Sequence, residues 1–276
     1  MVDCHMHMIL DGQFWRSAID RHRQTPDIPW IRGVLQKYQE KGFTYLRDGG
    51  DRWGAGAAAR EMAGEYSIVY RTPLAPLCKA GHYGSFIGRT YENLKEYAVL
   101  VEEQKAAGAD FVKIMISGLM DFDRFGVLTE EGLPEQEIRE LIYIAHEEGM
   151  AVMAHANGAR TVEAAAKAGV DSVEHGAYLD ADALRAMEEA GTVWVPTLST
   201  IGNLRGAGRF SEKAVVAILE SAMENISRYK GFLAVGSDAG AWNVPHGCKS
   251  EEDLLLQAGV SVERLAEGNG VVQKKF

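Results

Sequence analysis

Short apolar runs alternate with segments of helical periodicity along the whole chain. Eight runs are rich in β-branched, aromatic and aliphatic residues, and helical segments follow most of them. Glycine stands directly after many of the helical segments, as at Gly42, Gly149 and Gly191, which is where helices commonly end. The predicted strands are residues 1–7, 43–48, 67–77, 111–116, 150–156, 170–174, 193–197 and 232–235. The predicted helices are residues 29–41, 55–63, 91–107, 134–148, 161–168, 180–190 and 212–229.

This alternation predicts an α/β protein with a parallel sheet, because βα units of this size place a helix between neighbouring strands. Eight such units in roughly 250 residues match a (β/α)8 TIM barrel. A doubly wound open sheet is the alternative, but no glycine-rich dinucleotide loop follows the first strand. No linker or domain-length repeat interrupts the pattern, so residues 1–276 are predicted to form one domain. Residues 11–28 and 79–88 are predicted to be long loops over the strand ends.

The amino-acid composition limits the kinds of molecule that the protein is expected to bind. The 276 residues are 46% hydrophobic and 25% charged, with a formal net charge of −10 and a pI near 5.3. This acidic balance disfavours nucleic acid and anionic membrane surfaces, which attract clustered lysine and arginine. Three widely spaced cysteines suit a reducing compartment, and no signal peptide or membrane span is evident. A cytoplasmic protein with a small-molecule partner is therefore expected.

Histidines and one aspartate stand where the predicted strands end. His5 and His7 are two residues apart on the first strand, so their side chains point to the same side. His155 lies at the end of the fifth strand, His175 follows the sixth and Asp238 follows the eighth. Each histidine alone would be interpreted as an ordinary core residue. Because the carboxyl ends of barrel strands meet on one face, the set together predicts a metal site.

The fourth strand contains a single charged residue, Lys113, in an apolar run. Burial disfavours the ammonium form, so a neutral and nucleophilic amine is expected there. Such an amine can react with carbon dioxide to form a carbamate, which is an anion able to bridge two metal ions. A lysine exposed on a misassigned segment is the alternative.

These motifs resemble those of the amidohydrolase superfamily of metal-dependent hydrolases. Within it, the chain is similar to the imidazolonepropionase-like and prolidase-like subgroup, which includes dipeptidases acting before proline or arginine. The principal matches are DCHMH at 3–7, VKI at 112–114, AHANG at 154–158, EHG at 174–176 and GSDAG at 236–240. Further matches are GFTYLRDGG at 42–50, AGHYG at 80–84, KIMISG at 113–118 and PHG at 245–247.

The resemblance implies a binuclear centre of two divalent metal ions, most often zinc, with manganese, iron, cobalt or nickel able to substitute. The implied ligands are His5, His7 and Asp238 for one ion, His155 and His175 for the other, and a hydroxide and Lys113 carboxylated by carbon dioxide as bridges. It also implies hydrolysis of an amide, peptide or cyclic amide C–N bond in a small molecule such as a dipeptide or N-acyl amino acid. Asp238 would be the general base and then the general acid.

Several polar residues near the strand ends have more open interpretations. His82 and Tyr83, on the loop after the third strand, and His246 are candidates for substrate contact, with a capped surface loop as the alternative for the first two. Arg47 and Asp48 end the second strand, where a structural ion pair and a substrate role are equally compatible with the pattern. Asn157 is expected to orient the loop after the fifth strand.

The chain departs from the superfamily in one respect, since the usual accessory β-sandwich domain has no residues to form it. The expectation is therefore a single metal-dependent hydrolase barrel domain, 1–276, that buries the uncovered surface in a homo-oligomer. A deaminase of the same superfamily is disfavoured because Gly158 stands where a deaminase has glutamate, three residues after the histidine. A phosphoester or lactone hydrolase and a truncated metal-binding pseudoenzyme remain as alternatives.

Overall fold

The structure is a computed structural model that describes residues 1–276, in which short strands and helices alternate. The strands are β1 (Val2–Met6), β2 (Tyr45–Asp48), β3 (Val69–Arg71), β4 (Leu77–Lys79), β5 (Arg89–Tyr91), β6 (Val112–Met115), β7 (Val152–Ala156), β8 (Ser172–His175) and β9 (Val193–Val195). The helices are α1 (Trp15–His22), α2 (Ile28–Glu40), α3 (Ala55–Ala63), α4 (Leu94–Ala106), α5 (Glu135–Glu147), α6 (Ala159–Lys167), α7 (Ala181–Ala190), α8 (Ser199–Gly202), α9 (Glu212–Arg228), α10 (Ser250–Gln257) and α11 (Val262–Lys275). None of the helices combines the length and the apolar character needed to cross a membrane.

The strands form two sheets in which every pairing is parallel. One sheet has the order β1-β2-β3 and the other has the order β5-β4-β6-β7-β8-β9. Single bridges from Leu233 to Trp194 of β9 and from Ala239 to Met6 of β1 join the outer strands of the two sheets. The predicted α/β fold with a parallel sheet is confirmed, and the arrangement is consistent with a TIM barrel. Because all strands run in one direction, their carboxyl ends lie at one edge.

The helices follow from local signals. The side chains of Asp27, Asn93 and Asp180 accept hydrogen bonds from backbone N–H groups in the first turns of α2, α4 and α7, which satisfies donors that have no partner within a helix. Helix α5 carries apolar residues at the i, i+3, i+4 and i+7 positions that form one face of a helix. The buried residues of this face are Ile138, Leu141, Ile142 and Ala145.

The apolar core is divided in the same way as the sheets. One cluster packs β1 and β2 against α1, α2 and α3, and a larger cluster packs β4 to β9 against the later helices. A third, smaller cluster joins them and includes Val272 of α11 together with Phe276, Phe111 and Tyr45. The two halves of the molecule therefore have separate cores, and the strand ends of both halves meet at the site described below.

The third predicted strand is wrong in its extent. Residues 67–77 do not form one strand, because β3 ends at Arg71 and Leu77 begins β4, which belongs to the other sheet. Pro73 and Pro76 lie between these strands, and proline cannot donate a ladder hydrogen bond. The pattern also missed β5, and the predicted loop at 79–88 loses its first residue to β4.

Two further expectations differ from the structure. Helix α1 lies within the predicted loop 11–28, and its weak apolar pattern accounts for the omission because only Ala18, Ile19 and His22 are buried. Residues 232–235 were predicted to be a strand, but only the isolated bridge at Leu233 forms there. The remaining predicted helices agree with the structure to within a few residues at each end.

Candidate metal centre

Four histidines and one aspartate converge at the carboxyl ends of the strands. The rings of His5 and His7, at the end of β1, have centroids 5.3 Å apart. His175, at the end of β8, lies 5.1 Å from the ring of His5 and 4.5 Å from the ring of His155 on β7. Asp238 lies between Leu233, which bridges to β9, and Ala239, which bridges to β1. Its N–H donates to the carbonyl of His5 at 2.6 Å. The structure therefore brings these five predicted residues together.

Three donor atoms form a compact group on the β1 side. His5 Nε2 lies 3.4 Å from His7 Nε2 and 3.6 Å from Asp238 Oδ1, and His7 Nε2 lies 3.2 Å from the same oxygen. Tetrahedral coordination with bonds of ~2.0–2.1 Å places neighbouring donor atoms about 3.3–3.4 Å apart. Asp238 Oδ1 is buried without a hydrogen bond, as is His7 Nδ1. The donor atoms at this position fit a divalent metal ion.

In three of the histidines a hydrogen bond occupies one imidazole nitrogen, which leaves the other nitrogen free. His5 Nδ1 donates to Glu174 Oε2 at 2.6 Å, so Nε2 is its free atom. His155 Nε2 donates to the carbonyl of Gly118 at 3.1 Å, which leaves Nδ1 free. His175 Nδ1 is hydrogen-bonded to Thr197 Oγ1 at 2.7 Å, which leaves Nε2 free. Partners of this kind on the second nitrogen are typical of histidines that bind metals.

Lys113 lies on β6, where it pairs with Met153 of β7. Its Nζ is buried and has no hydrogen-bond partner, an arrangement that is unfavourable for an ammonium group. Burial lowers the pKa of Lys113 to about 8, although the charges of Glu174 and Asp238 act in the opposite direction. An amine with this pKa is partly neutral near pH 7, and a neutral amine is the form that carboxylation requires.

The histidines are electrostatically suited to bind a cation. Burial, followed by the charge of Lys113, lowers the pKa of His5 to about 4 and that of His155 to about 3. Burial and the neighbouring His155 hold the pKa of His175 well below its usual range. The rings are therefore neutral at pH 7, which is the ligand form of imidazole. Burial opposes ionisation of Asp238, but His5 and His7 outweigh it and lower the pKa of Asp238.

The buried ion pair of Arg47 and Glu174, whose carboxylate is hydrogen-bonded to His5, was not recognised from the sequence. Arg47 Nη2 donates to Glu174 Oε1 at 2.8 Å, and both side chains are fully buried. Burial raises the pKa of Glu174, but Arg47 and the hydrogen bond from His5 outweigh it and hold the pKa at about 2. Arg47 does not pair with Asp48, which instead accepts from the N–H of Met8 at 3.1 Å. The signal that could have identified Glu174 was its place in the EHG motif, directly before the candidate ligand His175.

The backbone is strained at this edge of the molecule. His175, Thr197 and Asp238 have φ angles of 70°, 52° and 57°, in the left-handed region that residues with a side chain seldom occupy. Each such conformation costs roughly 1–3 kcal/mol and persists where the surrounding structure enforces it, often at functional sites. Two of these residues, His175 and Asp238, are predicted metal ligands, and no sequence pattern indicated the strain.

The candidates for substrate contact are placed differently from one another. Tyr83 packs its ring against His155, with centroids 4.8 Å apart, and its N–H donates to Glu130 Oε2 at 2.9 Å. His82 is partly exposed, and its Nδ1 contacts the Glu130 carboxylate. The structure therefore brings Tyr83 to the histidine cluster, while His82 points to the neighbouring loop.

His246 is also buried, but its ring is bonded to residues outside the histidine cluster. Its Nε2 donates to the carbonyl of Leu10 at 2.8 Å, and its Nδ1 is 3.4 Å from the hydroxyl of Tyr38. It lines an open cleft of about 360 Å³ together with Trp30 and Lys37. Both ring nitrogens thus have partners within the protein, and its substrate contact stays a prediction.

Asn157 orients the loop after β7, as its position predicted. Its Nδ2 donates to the carbonyl of Gly118 at 3.0 Å, and its Oδ1 accepts from the N–H of Ala177 at 2.9 Å. Because Gly118 is also the partner of His155, Asn157 fixes the acceptor that selects the free nitrogen of His155. The amide connects the loops after β6, β7 and β8.

Comparison with known proteins assigns the family. The profile described as Amidohydrolase family matches residues 40–258, a range that includes Lys113, His155, His175 and Asp238, and the chain belongs to this family. The predicted superfamily is confirmed. Ochratoxinase from Aspergillus niger is 24% identical over 274 residues, covering 85% of this chain and 55% of that protein. The chain thus spans about half the length of this curated relative.

Solved structures establish the fold. A Xaa-Pro dipeptidase with methionine bound in its active site aligns with a TM-score of 0.76 at 21% identity, covering 100% of this chain and 75% of that one. The structure of ochratoxinase from Aspergillus niger aligns with a TM-score of 0.77 at 22% identity, covering 98% of this chain and 69% of the other. At these identities both likenesses concern the fold alone.

Proposed function

We propose that this protein is a binuclear metal-dependent amidohydrolase that cleaves a C–N bond in a small molecule. The observation that supports it most strongly is the convergence of four imidazoles, the Asp238 carboxylate and the buried Lys113 amine at one edge of the parallel strands. Fold alone would not justify an activity, because barrels carry many chemistries. Membership of the Amidohydrolase family gives independent support.

The chain offers ligands for two divalent ions. On this proposal His5, His7 and Asp238 hold one ion, His155 and His175 hold the other, and Lys113, carboxylated by carbon dioxide, connects them. Imidazole and carboxylate ligands suit zinc, with manganese, iron, cobalt or nickel as substitutes. When bound, such a pair of ions lowers the pKa of water and polarises the carbonyl that is to be cleaved.

Asp238 is placed to move the proton. Its carboxylate is ionised at pH 7 because its pKa is lowered, and only its Oδ1 belongs to the donor group with His5 and His7. The other oxygen, Oδ2, could therefore accept a proton from the attacking water and deliver it to the leaving nitrogen. A single carboxylate would then be both general base and general acid.

Tyr83 packs against the proposed ligand His155, which makes it a candidate for substrate contact, and His82 and His246 are further candidates. We propose a dipeptide, an N-acyl amino acid or a cyclic amide as the substrate class. The relatives named as a Xaa-Pro dipeptidase and as ochratoxinase support amide substrates. Gly158, with a φ of 85°, stands where a deaminase would need glutamate, which disfavours deamination.

The proposal includes the architecture around the site. The two sheets and the segment 232–239 would close into a (β/α)8 barrel, with residues 1–276 as one domain. A homo-oligomer, a cytoplasmic location and the lack of nucleic-acid or membrane partners stay predictions from the sequence.

The experiment combines metal analysis with a substrate screen. Purified protein is loaded with Zn²⁺, Mn²⁺ or Co²⁺ in bicarbonate buffer and assayed on dipeptides, N-acyl amino acids and hydantoin-like rings. We expect up to two metal ions per chain and hydrolysis of at least one amide class. Lys113→Ala is the matched variant, and its rate should fall by at least about 10³-fold with partial recovery in short carboxylic acids, since it removes the group that connects two ions.

Two results would contradict the proposal. One is a protein that binds no divalent ion at any loading condition. The other is a Lys113→Ala variant that turns over an amide substrate at the wild-type rate. Hydrolysis of phosphoesters or lactones alone would replace the proposed reaction while retaining the metal site.

A further inference from the structure

A chain of buried contacts connects β2 to His5 through β8. Arg47, on β2, reaches Ser172 Oγ through Nη1 at 2.9 Å and Glu174 Oε1 through Nη2 at 2.8 Å, both on β8. The other carboxylate oxygen, Glu174 Oε2, accepts from His5 Nδ1 at 2.6 Å. The Arg47 and Glu174 side chains have no exposed surface, so solvent cannot substitute for any of these bonds.

Stability does not account for this ion pair. Transfer of two charges from water to the interior has a large desolvation cost, and buried ion pairs can often be replaced by apolar side chains with no loss of stability. The surroundings nevertheless hold Arg47 firmly, since its Nε donates to the carbonyl of Cys4 at 2.6 Å and its Cζ lies 4.3 Å from the ring of Phe276. Because burial of both charges is energetically unfavourable, the ion pair indicates a role other than stability.

The contacts indicate what that role is. A hydrogen bond from Nδ1 to Glu174 fixes the proton of His5 on Nδ1 and leaves the lone pair of Nε2 free. That lone pair faces His7 Nε2 and Asp238 Oδ1, at 3.4 and 3.6 Å. We infer that Glu174, held by Arg47, is the positioning residue that sets the tautomer and ring orientation of His5 for metal binding. This inference rests on the metal site of the proposed function.

The other histidines of the cluster show that this arrangement is specific to His5. His155 and His175 are hydrogen-bonded to a backbone carbonyl and a hydroxyl, which carry no charge. A carboxylate on the second nitrogen both orients the ring and makes it a stronger ligand, and loss of such a partner typically weakens metal affinity by 10- to 100-fold. We therefore expect the effect to be confined to the ion bound by His5.

The test compares two double variants that leave no unpaired buried charge. Arg47→Met with Glu174→Leu removes the acceptor of His5 Nδ1, whereas Arg47→Met with Glu174→Gln keeps a neutral acceptor. Zn²⁺ affinity is measured against a competing chelator, and the His5 tautomer by ¹⁵N NMR of the metal-free protein, with His5→Gln for assignment. We expect the leucine variant to lose 10- to 100-fold in one binding step and to lose the single Nδ1–H tautomer, and the glutamine variant to retain both more closely.

Asp171→Asn is the matched control, because Asp171 also bonds a histidine, His146, at 2.9 Å but away from the site. Its Zn²⁺ affinity should stay within about twofold of wild type, since no ligand is perturbed. A leucine variant with wild-type affinity and tautomer would overturn the inference. If that variant does not fold, a glutamine variant with wild-type affinity and a mixed His5 tautomer would overturn it. A wild-type protein without metal affinity would instead refute the proposed function, and the His5 tautomer would still test the role of Glu174.

Discussion

The two halves of the molecule hold their histidines by different means. The half built on β1, β2 and β3 supplies His5 and His7, and its His5 is bonded to the charged carboxylate of Glu174. The half built on β4 to β9 supplies His155 and His175, which are hydrogen-bonded to the uncharged groups Gly118 O and Thr197 Oγ1. An anionic partner strengthens an imidazole as a ligand, whereas a neutral partner mainly orients it. Histidines at one site can therefore differ in how strongly they bind a metal ion.

His7 adds a third means, which is steric. Its Nδ1 is buried and has no hydrogen-bond partner. A side chain on Gly49 would overlap the ring of His7, so this glycine leaves the space that the imidazole fills. The β1 half thus combines one histidine held by charge with one held by packing.

The largest effect is expected at the residue that both halves share. Asp238 lies 3.2 Å from His7 and 4.0 Å from His175, and Asp238→Asn removes a proton acceptor without a change in shape. We expect kcat to fall by about 10²- to 10⁴-fold, which is the usual contribution of a general acid–base group. Metal content by elemental analysis should change little. A rate near that of wild type would show that Asp238 does not transfer the proton.

A smaller effect is expected from the packing of the β1 half. Gly49→Ala inserts a methyl group against His7 and should displace its ring. We expect Zn²⁺ affinity to fall by roughly 10- to 100-fold in one binding step, comparable to the loss of an outer partner. The second step, assigned to His155 and His175, should keep its wild-type constant in the same titration. Equal weakening of both steps would mean that the halves do not act separately.

The neutral partner of the other half should matter less. Thr197→Val removes the hydroxyl bonded to His175 Nδ1 while preserving the shape of the side chain. Because this acceptor carries no charge, we expect a loss of at most about tenfold in Zn²⁺ affinity, at the lower end of the range for outer partners. The measurement is the same chelator competition used for the Glu174 variants. A loss as large as that of the Glu174 variants would remove the distinction between charged and neutral partners.

A further effect is expected in the stability of the metal-free protein, which should depend on pH. Burial lowers the pKa of His5 to about 4 and that of His155 to about 3, against 6.5 for an ordinary histidine. Between pH 6.5 and these lowered pKa values, the unfolded chain binds protons that the folded protein does not. The free energy of unfolding should therefore decrease as the pH falls below 6.5. The slope is about 1.4 kcal/mol per pH unit for each histidine within its window.

Urea denaturation of the metal-free protein between pH 7 and pH 5 tests this expectation. The His5→Gln variant should show a shallower decline than wild type, because one such group has been removed. By NMR, His5 should become protonated at a higher pH than His155, since Glu174 favours its charged form. The reverse order would contradict the difference between the halves.

Local patterns predicted much of this molecule. The spacing of His5 and His7, the position of Lys113 in an apolar run and the glycines after helices depend on periodicities of two and 3.6 residues, which can be read along the chain. Because parallel strands bring their carboxyl ends together, those patterns also predicted that His155, His175 and Asp238 would meet the first histidines. The convergence in the structure agrees with this expectation.

The α/β alternation, the family and the residues offered for metal binding can all be read along the chain. Only the tertiary structure decided that Arg47 pairs with Glu174, 127 residues away, instead of with its neighbour Asp48. It also decided which nitrogen of each histidine is free, and that the strands divide between β3 and β4. The physical reason is that periodicity orients a side chain relative to its own element, whereas a hydrogen-bond partner depends on which elements become neighbours.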